Sequence, residues 1–105
     1  MANNGFIQKI SFAFMEREPE FIKTTNPYEV AKFYKDLADS DLSLYTKKDY
    51  HKLHKLLASV ALHNGRIEES NKNGCVLNFI FSFSDKGNFE EFREYLKQSN
   101  LVSIS

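Results

Sequence analysis

Two stretches that alternate with a period of two constrain the fold of this chain more than anything else in it. From Phe6 to Met15 the even positions are Phe6, Gln8, Ile10, Phe12 and Phe14, and the odd ones Ile7, Lys9, Ser11, Ala13 and Met15. From Cys75 to Ser84 one set is Cys75, Leu77, Phe79, Phe81 and Phe83, and the other Val76, Asn78, Ile80, Ser82 and Ser84. Successive side chains of a strand point to opposite faces, so each stretch reads as a strand with one Phe-rich face turned to the core. Ten Phe, five Tyr and no Trp mean that flat rings supply much of the hydrophobic free energy.

The segment Glu16-Arg17-Glu18-Pro19-Glu20 leaves the first strand as a charged, proline-bearing loop. Asn26-Pro27-Tyr28-Glu29 then combines a capping acceptor, a proline at the first helical position and a Glu in the first turn. The helix it opens carries Val30, Phe33, Tyr34 and Leu37 at helical spacing and stops at Asp39-Ser40-Asp41. Thr46-Lys47-Lys48-Asp49 reads as a second start, with Tyr50, Leu53, Leu57, Val60 and Ala61 as the apolar stripe and Asn64-Gly65 as a left-handed stop. Arg66 to Ser70 is a short polar strand, and the Asn73-Gly74 pair favours a tight hairpin into the Phe-rich strand. Asn88-Phe89-Glu90-Glu91 opens a last helix with Phe89, Phe92 and Leu96 inward, and Leu101 to Ser105 reads as a final strand.

The resulting order, β-α-α-β-β-α-β, resembles the ferredoxin-like βαββαβ plan with a helical hairpin in place of its first helix. That resemblance implies one α+β domain over residues 1–105, an antiparallel four-stranded sheet with helices on one face, and the first and third strands at its centre. Burying the Phe-rich faces leaves Ile7, Lys9, Ser11 and Ala13 beside Val76, Asn78, Ile80 and Ser82 on the other face.

Lys plus Arg and Asp plus Glu both number 14, so the net charge is zero and a charged partner must be met by a local patch. The one cysteine, Cys75, excludes an internal disulfide and is expected in the core. The first residues lack the basic start and apolar run of a signal peptide, and no stretch is apolar enough for a membrane span, so the cytoplasm is the expected compartment.

Motifs for catalysis are missing from the pattern. His51 and His54 lie three apart without the further ligands a metal site needs, and the four glycines build neither a phosphate loop nor a dinucleotide fingerprint. No catalytic residue, cofactor or metal is therefore assigned. Lys72 to Phe79 has only a faint likeness to an aromatic RNA-binding strand, and its aromatic falls on the core face. Lys48, His51, Lys52 and Lys55, with Lys47 nearby, form a basic stripe on the second helix, whereas Glu16, Glu18, Glu20, Glu68, Glu69, Glu90, Glu91 and Glu94 gather elsewhere. Two binding surfaces emerge: the open sheet face at Lys9, Ser11, Ala13, Asn78 and Ile80, and the basic stripe at Lys48, His51, Lys52 and Lys55. The expected function is a small non-enzymatic interaction protein, a regulator, inhibitor or immunity-type protein, meeting a protein partner or a second copy. The alternatives are nucleic-acid or phosphate binding by the stripe over 47–55, and a small-ligand enzyme using His51 or His54.

Overall fold

A computed structural model describes residues 5–99. Its elements are β1 (Phe6–Ala13), α1 (Pro27–Ala38), α2 (Leu44–Leu62), β2 (Arg66–Asn73), β3 (Val76–Phe83) and α3 (Lys86–Ser99). The fold is α+β, but among the described residues the antiparallel sheet has three strands in the order β1-β3-β2, not the four expected. The final strand expected at Leu101–Ser105 lies outside the described residues. α3 runs on to Ser99, the last of the described residues. Of the two long strands only β3 has a neighbour on each side among the described residues, so the pairing of β1 is one-sided.

The alternation of β1 and β3 is translated directly into burial. Ile10 and Phe12 on β1 and Leu77, Phe79, Phe81 and Phe83 on β3 are buried, and they form one cluster with Val30 and Tyr34 of α1, Leu53 and Val60 of α2, and Phe92 and Leu96 of α3. Phe6 departs from the pattern. At the strand's end it is 36 % exposed, its ring stacked on Phe89 at a centroid distance of 5.3 Å. No helix among the described residues is long and apolar enough to cross a membrane.

Local chemistry explains the ends of the elements. Asn26 caps α1 as its side-chain oxygen accepts from the Tyr28 amide at 2.9 Å, with Pro27 in the first turn. α2 begins earlier than the Thr46 start, because Ser43 accepts from the Thr46 amide and so occupies the cap. α3 also begins earlier than the Asn88 start: Asp85 accepts from the Asn88 amide at 2.9 Å. At the other end of α2, Asn64 takes the left-handed conformation (φ 59°), the Gly65 amide donates to Val60 O at 2.8 Å and the Asn64 amide to Ala61 O at 3.1 Å. This is a Schellman stop in which the residues divide the work. Asn64 supplies the positive φ, while Gly65 supplies space: a Cβ there would lie 2.5 Å from Cε2 of Phe83 and 2.9 Å from Cγ1 of Val60.

The long connection from β1 to α1 is held by two buried tyrosines. Tyr34 and Tyr50 stack at 5.7 Å; the Tyr34 hydroxyl donates to Glu20 O at 3.0 Å, and the Glu20 amide donates to the Tyr50 hydroxyl at 2.9 Å. Burial raises the Tyr34 phenol far above its ordinary value, and Tyr50 and Glu20 add to the rise, so this ring acts as a fixed neutral donor. The Ile67 amide donates to Thr25 O at 3.2 Å, and Lys72 meets Glu18 at 3.0 Å, which tie the same connection to β2.

Phe81 is fully buried, stacked on Phe79 at 5.4 Å and edge-on to Phe92 at 6.1 Å. Phe81→Ala is expected to cost about 3–5 kcal/mol, a large share of the ~5–15 kcal/mol available to a domain, while Lys9→Ala on the opposite face stays within about 0.5 kcal/mol. Urea denaturation measures both. A loss below about 1 kcal/mol for Phe81→Ala would contradict its placement against the helices.

Candidate functional site

Pairing register turns the outward residues of the sheet into rows. Lys9, Ile80 and Glu69 lie side by side across the three strands, then Ser11, Asn78 and Asn71, and then Ala13, Val76 and Asn73. In the middle row the Ser11 hydroxyl donates to Oδ1 of Asn78 at 2.6 Å, and Nδ2 of Asn78 donates to Oδ1 of Asn71 at 3.0 Å. The five residues predicted for this face, Lys9, Ser11, Ala13, Asn78 and Ile80, therefore form one continuous surface. Beyond it, Ile7 is 47 % exposed beside Ser82, whose hydroxyl donates to Glu68 at 2.5 Å.

Sequence reasoning missed the contribution of β2. A strict alternation from Ile67 sends Glu69 and Asn71 to the core side, but the register shifts between Ile67 and Glu69. The buried residues of β2 are then Ile67 and Ser70, three apart, and Glu69 and Asn71 emerge on the open face. No residue type in Arg66–Asn73 announces the bulge in advance.

The second predicted surface also forms. Lys47, Lys48, His51, Lys52 and Lys55 line one groove against the C-terminal end of α1 at Ala38 and Asp39. Lys48, His51, Lys52 and Lys55 are exposed. Asp39 is engaged by Lys35 at 3.2 Å. On the other side of the α2 start, Glu16 accepts from the hydroxyls of Ser43 and Thr46, the latter at 3.0 Å. Burial raises the Asp49 carboxyl above its ordinary value; Lys52 pulls it down and nearby Glu16 pushes it up.

The histidines do not combine into one site. The rings of His51 and His54 are 6.0 Å apart, yet His51 lines the basic groove and His54 a separate one bounded by Tyr28, Ala58, Leu62, His63 and Tyr95. Nδ1 of His54 lies 3.1 Å from Ala31 O, and Nδ1 of His63 lies 2.8 Å from Ser59 O. A carbonyl only accepts, so both Nδ1 atoms carry a proton and both rings are oriented by backbone. His63 escaped the sequence reading because it caps α2 and belongs to no spaced motif. Among the described residues no group of three or more His, Cys, Asp or Glu gathers in metal-binding geometry.

Cys75 is not in the core. Asn73 pairs with Val76, so Gly74 and Cys75 form the hairpin turn and the thiol is exposed. Gly74 has φ 62°, the positive value needed at the first central position of a type II′ turn, and this moves the turn one residue beyond the Asn73-Gly74 pair. Comparison with family models, curated proteins and solved structures finds no match to the chain.

Two measurements test these placements. The Cys75 thiol is expected to react with a disulfide reagent in the native protein about as fast as in denaturant; protection by folding would return it to the core. The raised Asp49 carboxyl means that its charge opposes folding above its native pKa, a penalty that fades as pH falls through that raised value and is gone below the ordinary carboxyl value. Asp49→Asn should accordingly raise the thermal midpoint at neutral pH and lose that advantage in acid. A midpoint unchanged or lowered at neutral pH would show that the carboxylate is favourably held.

Proposed function

We propose that this chain is a small non-enzymatic interaction protein, of regulator, inhibitor or immunity type, that docks a protein surface on the open face of its sheet. The partner is another protein or a second copy of the chain. The observation that supports this most is the Ser11–Asn78–Asn71 row, which links three strands by side-chain hydrogen bonds at the centre of the face. Groups already bonded to one another are covered at less desolvation cost than free ones, because their polar atoms keep partners when water leaves. On either side of that row sit half-buried Ile80 and Val76, which offer apolar surface, and at the rim Lys9 and Glu69 offer one charge of each sign. The apolar surface thus flanks an internally bonded polar row, with the charges out at the rim, where protein interfaces ordinarily carry them.

Ala13 and Ile80 sit on this face without contributing to the buried cluster, so changes there separate docking from folding. Ala13→Arg introduces bulk and Ile80→Glu a charge that docking would strand. Each variant should keep the circular dichroism spectrum and urea midpoint of the parent within about 1 kcal/mol, and lose about tenfold or more in association. Light scattering across a concentration series reads self-association, and titration reads a captured partner. Unchanged association in both folded variants would remove the face as the docking surface, and recovery of the free monomer alone from its native host would count against the function.

A further inference from the structure

The groove between the C-terminal end of α1 and the first half of α2 gathers charge that the rest of the fold leaves unanswered. Several basic residues elsewhere are paired: Lys32 with Asp36, Lys35 with Asp39, Arg66 with Glu68, Lys72 with Glu18 and Lys86 with Glu90. Arg93 lies over the Phe89 ring at 5.7 Å. Lys47, Lys48, Lys52 and Lys55, like the scattered Lys9, Arg17, Lys23 and Lys97, have no carboxylate oxygen within 4.0 Å among the described residues, but these four are gathered together. They line a single groove.

Their placement on α2 is unfavourable in two further ways. α2 starts at Leu44 and has no acidic residue in its first turn, so Lys47 and Lys48 stand near the positive end of the helix dipole. Lys48 and Lys52 are four apart, and Lys52 and Lys55 three apart, spacings at which like charges repel on one helix face. Glu16 at the α2 start relieves part of the first problem through Ser43 and Thr46. Asp49, three residues before Lys52, offsets part of the second, since the Lys52 charge pulls its carboxyl down.

We propose that this groove binds an acidic protein segment, a short run of Asp or Glu side chains lying along Lys48, Lys52 and Lys55. The eight residues from Lys48 to Lys55 span about 10 Å of helix, the length of about three residues of extended peptide. Lysines act as compact point charges and accept carboxylates arriving from varied directions, without the planar fork of arginine. Both flanks favour a short ligand over a nucleic acid. Asp39 stands at the groove wall and Glu16 at the α2 start, carboxylates that a long array of phosphates would have to pass. The one ring in the groove's lining is the His51 imidazole, the rest being Ala38, Asp39 and the four lysines, so successive bases find no series of aromatic faces to stack on.

The test uses the full chain with fluorescent hexaglutamate as probe, hexaglutamine as the uncharged control and a short oligothymidylate as the competing polyanion. Saturable binding of hexaglutamate at low ionic strength, none of hexaglutamine, weaker binding of oligothymidylate and loss of affinity as salt rises are the expected results. Lys48→Glu combined with Lys52→Glu should weaken hexaglutamate binding about tenfold or more, and Lys48→Gln with Lys52→Gln supplies a milder pair if the reversal disturbs folding. Both pairs should also raise the thermal midpoint of the free protein, because they remove repulsion on α2, an effect opposite to that of deleting a structural contact. Ile80→Glu, on the sheet face, should bind hexaglutamate like the parent, so failure of the groove and failure of the sheet face are separate results. Absence of saturable hexaglutamate binding at low salt overturns the proposal, as does equal binding by the lysine variants. Tighter binding of oligothymidylate than of hexaglutamate overturns the carboxylate assignment and makes the groove a nucleic-acid site.

Discussion

The position of β3 between β1 and β2 is the constraint on which the remaining structure depends. Both neighbours hydrogen-bond to it, and Phe79, Phe81 and Phe83 project from it into the helical layer. Because a strand divides its side chains strictly between two faces, the same pairing that packs Phe81 and Phe83 against Phe92 also aligns Asn78 and Ile80 with Ser11 and Lys9 on the far side. Core and open face are two readings of one register. A slip by one residue would exchange them, placing Asn78 and Ser82 among the aromatic rings at a prohibitive desolvation cost.

The helical layer depends on a second element, the pair of stacked tyrosines. Tyr34 belongs to α1 and Tyr50 to α2, and both reach the backbone of Glu20 in the connection that precedes α1. One donates and the other accepts, so a single peptide segment has its amide and carbonyl satisfied within the protein. This fixes the two helices relative to the strand they succeed. The basic groove is a consequence: once α1 and α2 are aligned by their buried faces, the C-terminal end of α1 comes to rest against Lys47, Lys48 and His51.

Periodicity and single-residue chemistry made part of this fold legible in the sequence. The faces of β1 and β3, the Asn26-Pro27 helix start and the Asn64-Gly65 stop all depend on local rules that tertiary contacts reinforce. The departures share another cause, a choice between local alternatives decided by distant contacts. Either Ser43 or Thr46 can cap α2, and Glu16, remote in sequence, bonds both hydroxyls and completes the earlier start. The turn falls on Gly74-Cys75 because Phe14 donates to Cys75 O at 2.8 Å and β1 pairs with β3 up to Val76, which draws the ladder one residue past the apolar run's apparent beginning. The four-strand expectation rests on topology by analogy, with no residue pattern stronger than five alternating positions behind it.

The two candidate surfaces answer different physical problems, which is why only one of them was fully legible. On the sheet, charge is nearly balanced and the central polar groups bond to each other, a state that depends on three strands meeting in register and on the β2 bulge. Its membership could be derived from alternation on β1 and β3, but its third strand could not. On α2, by contrast, the lysines share a helix face by sequence spacing alone, so the cluster is visible without the fold. Only the fold establishes which carboxylates reach it. With equal numbers of acidic and basic residues, overall neutrality suggests that many charges cancel locally; the ion pairs of α1, β2 and α3 do so. The lysines of the groove are gathered without such a pair, which makes them a local field in a molecule with no net one.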